Sequence, residues 1–114
     1  MKTSFKDTDE YHCGGYSVRE YVSKEQKLGF NALFVDVPSA HPKKQVGAGN
    51  TRNYFVLSGT GEFTIDGNTI SVKEHDLVTI NAGQIYEYQG EMKLFEFNVS
   101  PDNTFNDAFV EKKA

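Results

Sequence analysis

The chain has 114 residues, which leaves room for one hydrophobic core and so for one domain. Charged residues make up 25% and hydrophobic ones 38%, with a formal net charge of −4, the balance of an ordinary soluble globular protein. The twelve Lys and Arg are scattered and outnumbered by sixteen Asp and Glu, which argues against nucleic acid, and no apolar run approaches the roughly 18 residues of a membrane span.

From the start, Met1-Lys-Thr-Ser-Phe-Lys-Asp7 has no apolar stretch like that of a signal peptide, so the cytoplasm is the default location. The first ten or so residues are expected to fray. Cys13 is the only cysteine, which rules out an internal disulfide and a thiolate cluster for zinc. Its neighbour His12 would point to the opposite face of a strand, so the two do not read as a nucleophile and its base.

From Tyr16 to Val99 apolar and polar residues alternate in short runs, the mark of half-buried strands. The runs are Tyr16 to Val22, Asn31 to Val37, Tyr54 to Ser58, Glu62 to Asp66, Thr69 to Lys73, Leu77 to Ile80, Ile85 to Tyr88 and Met92 to Val99. Asp66-Gly67 between two such runs predicts a tight hairpin, because its turn needs positive φ. Further turns are expected at Gly59-Thr-Gly61 and Gln89-Gly90-Glu91, and Pro38 to Thr51 reads as a bulged strand or an entrance loop. No convincing helical period interrupts this region, so an all-β sandwich or barrel is predicted. After Pro101, Asp102 or Asn103 could cap a short C-terminal helix with Phe105 and Phe109 on one face, and the final Glu111-Lys-Lys-Ala114 is expected to fray.

The run Tyr54-Phe-Val-Leu-Ser-Gly-Thr-Gly-Glu-Phe-Thr-Ile-Asp-Gly67, followed by Glu74-His-Asp-Leu-Val-Thr-Ile-Asn-Ala-Gly-Gln-Ile-Tyr86, resembles the centre of small single-domain bacterial cupins. The resemblance spans about residues 30 to 100 and implies a double-stranded β-helix, a jelly-roll barrel, within a single domain over 1–114 with its core at about 16–100. Fold does not fix function here, since cupins include isomerases, epimerases, dioxygenases, lyases and binding proteins. Anchored on Gly59, the family's first motif puts its glutamate on Arg52 and its histidines on Val46 and Ala48, or on Gln45 and Gly47 with the alternative spacing. Anchored on Gly83, the second motif puts its histidine on Tyr86 and its leading glycine on His75. Cupin metals are held by imidazoles and a carboxylate, so the resemblance implies a barrel that has lost its metal site, and Arg52 at the carboxylate place would repel a cation. No metal and no cofactor is expected. His41, in a Ser-Ala-His-Pro loop, and His75, at the head of a strand, are not expected deep in the barrel.

Strand parity then places Arg52, Tyr54 and Val56 on the inward face, and Tyr86 with Tyr88. With Val46 and Ala48 these residues form the expected ligand pocket, with Gln45 or Gln84 at its mouth. A guanidinium among phenols suits a small anionic or carbohydrate-like ligand, although Arg52 could equally pair with Glu87 or Glu96, and Tyr54 and Tyr88 could simply be core aromatics. Binding without chemistry ranks ahead of a metal-independent sugar or carboxylic-acid isomerase, epimerase or lyase. The latter would use Tyr86 as acid or base and Arg52 as oxyanion stabiliser, and Glu87 has the wrong parity to help. A purely structural dimer module ranks third. The outward Phe55 and Leu57, with Phe105 and Phe109, suggest a homodimer.

Overall fold

The computed structural model describes residues 1–109. Its strands are β1 (Glu10–His12), β2 (Ser17–Val22), β3 (Phe30–Val37), β4 (Ala40–Gln45), β5 (Thr51–Ile65), β6 (Asn68–Lys73), β7 (Leu77–Ile80), β8 (Ile85–Val99) and β9 (Ala108–Phe109). Single 3₁₀ turns at Phe5–Asp7 and Lys24–Gln26 are the helical elements among the described residues.

The two long strands β5 and β8 run antiparallel along their whole length, from Thr51↔Val99 to Ile65↔Tyr86. On the free side of β8, β3 and then β4 follow one another, Phe30↔Val99 to Val37↔Met92 and Ala40↔Gln89 to Gln45↔Ile85. On the free side of β5, β7 covers Arg52 to Phe55 and β6 covers Thr60 to Ile65. Each long strand thus serves two half-sheets, and bending both at mid-length folds one half over the other. The bend lies at Gly59, Gly61 and Gly90, which correspond to the expected turns but are corners inside continuous strands. Gly61 and Gly90 are register partners, and a Cβ on Gly90 would stand 2.6 Å from Gly61 Cα. Glycine removes that atom, and it also supplies the positive φ at Gly59 (87°) and Gly90 (133°).

Between the half-sheets lies a core of Val35, Val37, Tyr54, Val56, Phe63, Ile80, Tyr86, Tyr88, Met92 and Leu94. The alternation read from the sequence is the burial pattern seen: Arg52, Tyr54 and Val56 are buried, as are Tyr86 and Tyr88. The Asp66-Gly67 turn has φ of 48° and 83°, both positive as a two-residue hairpin requires.

Two expectations change, and the choice left open at Pro38 to Thr51 resolves to a bulged strand. The N-terminal segment is tied down: β1 pairs with β2, Phe5 packs edge-on against Phe34 at 5.9 Å, and the Arg19 guanidinium sits 4.1 Å above the Phe5 ring. Pro38 to Thr51 contains a regular strand, β4, with a bulge between His41 and Lys44 that accommodates Pro42. The C-terminal helix does not form. After a turn at Pro101-Asp102, Asn103 and Phe105 take positive φ and the chain runs extended to add β9 to the open edge of β4. So short a helix would leave most of its backbone groups unpaired, whereas the extended path finds partners on β4 and in the barrel. The fraying expected of Glu111 to Ala114 falls outside the described residues.

Candidate functional site

A cavity of about 370 Å³ opens between the half-sheets, in the size range of small-molecule sites. Alternation along five strands points its side chains inward: Val18 and Glu20 from β2, Asn31 and Leu33 from β3, His41 and Lys44 from β4, Arg52 and Tyr54 from β5, and Tyr86, Glu96 and Asn98 from β8. Phe105 and Asp107 of the C-terminal segment close one side, and Cys13 and Tyr16 border another. Cys13 is exposed, while His12 turns away to pair with Glu10 at 2.8 Å.

Aromatic rings pack the floor. His41 lies 4.5 Å from the Tyr88 ring and 5.5 Å from that of Tyr86, nearly parallel to both, with Tyr16 tilted against its other side at 4.6 Å. Behind them the Tyr54 and Tyr86 hydroxyls share a buried hydrogen bond of 2.9 Å. His41 is only 6% exposed, and neither its Nδ1 nor the Tyr88 hydroxyl has a hydrogen-bond partner among the described residues. Burial, then the charge of Lys44, pushes His41 down to about 3, so the imidazole is neutral at pH 7. Burial pushes Tyr16, Tyr54, Tyr86 and Tyr88 up, which keeps these phenols protonated. The same desolvation raises Glu96, opposed by the hydrogen bond that Asn98 Nδ2 donates to its carboxylate at 2.7 Å and by Arg52. The cavity therefore combines an uncharged acceptor, several neutral O–H donors and a carboxylate within reach of one ligand.

Arg52, 5% exposed, has neither Glu87 nor Glu96 as its ion-pair partner. Its Nε and Nη2 donate to the two carboxylate oxygens of Asp107, each at 2.5 Å. Burial works against the guanidinium charge, but the hydrogen bonds and charge of Asp107 outweigh it and hold the group up. Glu87 lies in a separate depression with Lys43 and Asp66, as its parity requires.

The expected ligand residues therefore divide. Arg52, Tyr54 and Tyr86 meet in the cavity, and Tyr88 backs it through His41. Val46 and Ala48 do not line it: Val46 is buried in the hydrophobic core, and Ala48 lies with Gly47, Gly83 and Gln45 in an open groove beside the C-terminal strap. Gln45 donates to the Gly83 carbonyl and Gln84 Oε1 accepts from the Asn81 N–H, so both amides serve the surface loops. His41, expected in a loop, is the cavity's central imidazole, while His75 is exposed at a turn with φ 74°, the left-handed conformation its place implies. Sequence reading also missed Lys44 and Asp107 as site residues, and weighed Glu96 only as a partner for Arg52. The signal that could have found His41 is its phase in β4, which pairs it directly with Tyr88.

The donor set does not fit the metal that a cupin barrel implies. Arg52 and Tyr86 line the cavity where the resemblance would put a carboxylate and an imidazole, and among the described residues no three His, Cys, Asp or Glu side chains converge. A guanidinium and phenols that resist ionisation are not ligands for a divalent ion.

No protein-family model and no curated protein sequence matches the chain. Solved structures do. A nucleoside dehydratase is similar over 96% of this chain and 90% of its own, with TM-score 0.83 and 19% identity. The same Streptomyces protein has been solved with uridine as a histidine-to-glutamine variant and as tyrosine-to-phenylalanine variants, at 18% identity. A cupin domain from Schizosaccharomyces pombe (18% identity, 87% of this chain and 73% of that one, TM-score 0.74) and a predicted oxalate decarboxylase from Thermotoga maritima (14%, 88% and 99%, 0.73) share the barrel. The likeness is one of fold, a cupin-type β-barrel.

Proposed function

We propose that this cupin barrel is a metal-independent lyase of the dehydratase kind, which removes water from the sugar of a nucleoside-like substrate held between its half-sheets. The observation that carries the reading is His41, a neutral, screened imidazole whose Nδ1 is buried without a hydrogen-bond partner among the described residues, set among phenols that stay protonated. Elimination of water needs one group to take a proton from carbon and another to give one to the departing hydroxyl. The C–H electron pair becomes the new double bond, the C–O bond breaks, and the hydroxide leaves as water with a proton from a hydroxyl donor. The imidazole of His41, which lines the cavity, suits the first task. Tyr86, hydrogen-bonded to Tyr54 and stacked near His41, suits the second if it passes on the proton that His41 has taken, so that the phenol is not left ionised. An imidazole pushed so low is a weak base, so the C–H it attacks must be acidified by an adjacent carbonyl. Glu96, in the same cavity, would stabilise the imidazolium that results.

Similarity to a nucleoside dehydratase along nearly the whole chain adds support, since histidine and tyrosine are the residue types altered in its uridine-bound variants. The flat aromatic floor suits a pyrimidine ring.

Calorimetry with uridine, followed by mass spectrometry of carbonyl-bearing uridine analogues, tests the reading. We expect binding and the loss of one water per turnover. His41→Gln should keep the binding and lower turnover by about 10²–10⁴-fold, the usual contribution of a positioned base. An unaltered rate in that variant would remove His41 from the chemistry. The weak basicity of His41 favours a second reading, binding without reaction, which would appear as tight uridine binding and no product. The barrel is further proposed to act as a homodimer through the apolar outer face of β3, β8, β5 and β7.

A further inference from the structure

One bidentate face of the Arg52 guanidinium, Nε with Nη2, is already filled from within the molecule, while Nη1 is buried without a hydrogen-bond partner among the described residues. Asp107 grips Nε and Nη2 of Arg52 with both carboxylate oxygens, at side-chain exposures of 10% and 6%. It comes from a strap laid over the barrel mouth rather than from the barrel wall. The Gly47 N–H donates to Asp107 Oδ1 at 3.0 Å, Asn50 Nδ2 donates to Asn106 Oδ1 at 3.0 Å, and Lys44↔Phe109 and Gln45↔Ala108 pair β9 with β4. The seat is cut to fit the strap: a Cβ on Gly47 would run into the Asn106 side chain and lie 2.7 Å from its carbonyl oxygen. Among the lining side chains, Lys24, Lys44 and Arg52 stand against Glu20, Glu96 and Asp107, so with His41 neutral the cavity is formally balanced.

We propose that Asp107 is a specificity-determining residue, a built-in anion that fills the Arg52 fork so that the cavity admits an uncharged nucleoside and rejects its phosphorylated counterpart. The nucleoside half of this statement rests on the function proposed above; the exclusion of anions does not. A phosphate or carboxylate matches the guanidinium in the same bidentate way as Asp107. To reach it, an incoming anion must displace a buried carboxylate or stand beside it, and like charges at that separation repel strongly where water is excluded. Asp107 thus reverses the anion preference that Arg52 alone suggests.

Calorimetry at pH 7 with inorganic phosphate is the direct test. The wild type should give no measurable binding at millimolar phosphate. Asp107→Ala, which vacates the fork, and Gly47→Ala, which keeps the charge but unseats the strap, should both bind it at least about tenfold more tightly. Adding Arg52→Gln to Asp107→Ala should abolish that gain. Uridine and uridine 5′-monophosphate are then compared: the wild type should prefer the nucleoside, and Asp107→Ala should equalise or reverse the preference. Wild type that binds phosphate as well as the variants do, or prefers neither uridine nor its monophosphate, would overturn the role of Asp107 while leaving the nucleoside reading intact. If phosphate behaves as expected but neither uridine nor its monophosphate binds, the nucleoside reading fails and the anion gate stands.

Discussion

His41 is held neutral by its surroundings, and that has a measurable consequence for stability. Its ordinary value is near 6.5, and the folded barrel lowers it to about 3. Between these values the unfolded chain binds a proton that the folded chain refuses, so stability is full above about pH 6.5 and falls as the pH drops towards 3. Glu96 acts in the opposite sense, because its raised value lets the folded state take up a proton first. Comparison with His41→Gln separates the two. From pH 7 to pH 5, wild type should lose about 1–2 kcal/mol more stability than the variant in urea titrations. Equal losses would mean that His41 titrates as a solvated histidine and is not the screened imidazole of the cavity. The inward set Arg52, Tyr54, Tyr86 and Tyr88 was legible in the sequence because alternation along one strand is a local property. His41 was not: Ser39-Ala-His-Pro42 has the composition of a loop, and Tyr16, Tyr86 and Tyr88, which bury it, arrive from strands far away in the chain. Asp107 was hidden for the same reason, being separated from Arg52 by most of the strands that form the barrel.

At the scale of elements, glycine and proline were read in the right places and with partly wrong meanings. The Asp66-Gly67 hairpin is a turn because two apolar runs meet there with only two residues between them. Gly59-Thr-Gly61 and Gln89-Gly90-Glu91 carry the same residue signal, yet the two segments pair with each other and continue as strand. A corner shared by two strands and a turn between two strands both need positive φ and no side chain, so composition alone does not separate them. The corner is the costlier place to add an atom. Gly90→Ala would force a Cβ against Gly61 Cα and Thr60 O, both 2.6 Å away, at a φ of 133°. We expect a loss of about 2–4 kcal/mol from strain and overpacking together. Gly67→Ala meets nothing within 4 Å at φ 83° and should lose only about 1–2 kcal/mol, the left-handed term alone. Urea midpoints of both variants check the ranking, and equal losses would mean that the two long strands do not pass through one tight corner.

The whole molecule leaves one outer face apolar. Leu77, Phe55, Phe95 and Phe34 are successive register partners across β7, β5, β8 and β3, so the four side chains form one row on the side facing away from the cavity. Phe30 and Val99 form a parallel row on one side of it, and Leu57, at the bulge two residues past Phe55, lies on the other; Phe30, Leu57, Leu77, Phe95 and Val99 are all exposed in the isolated chain. Strand alternation generates such a face whenever both sides of a sheet carry apolar residues, and a protein that keeps it in water exposes a contiguous hydrophobic surface. The expected occupant is a second copy of the chain meeting the same face about a two-fold axis, since a flat apolar patch is self-complementary in that arrangement. Phe105 and Phe109, which the sequence also suggested for this purpose, belong elsewhere: Phe105 lines the cavity, and the Phe109 ring lies 4.4 Å from Lys44 Nζ. Light scattering at micromolar concentration should therefore give about twice the 12.8 kDa chain mass. Phe95→Glu places a charge at the centre of the row without touching the cavity and should give a folded monomer that still binds uridine, because none of the residues lining the cavity lies on this face. A wild-type monomer at that concentration would overturn the assignment, and a Phe95→Glu dimer would move the interface to another surface.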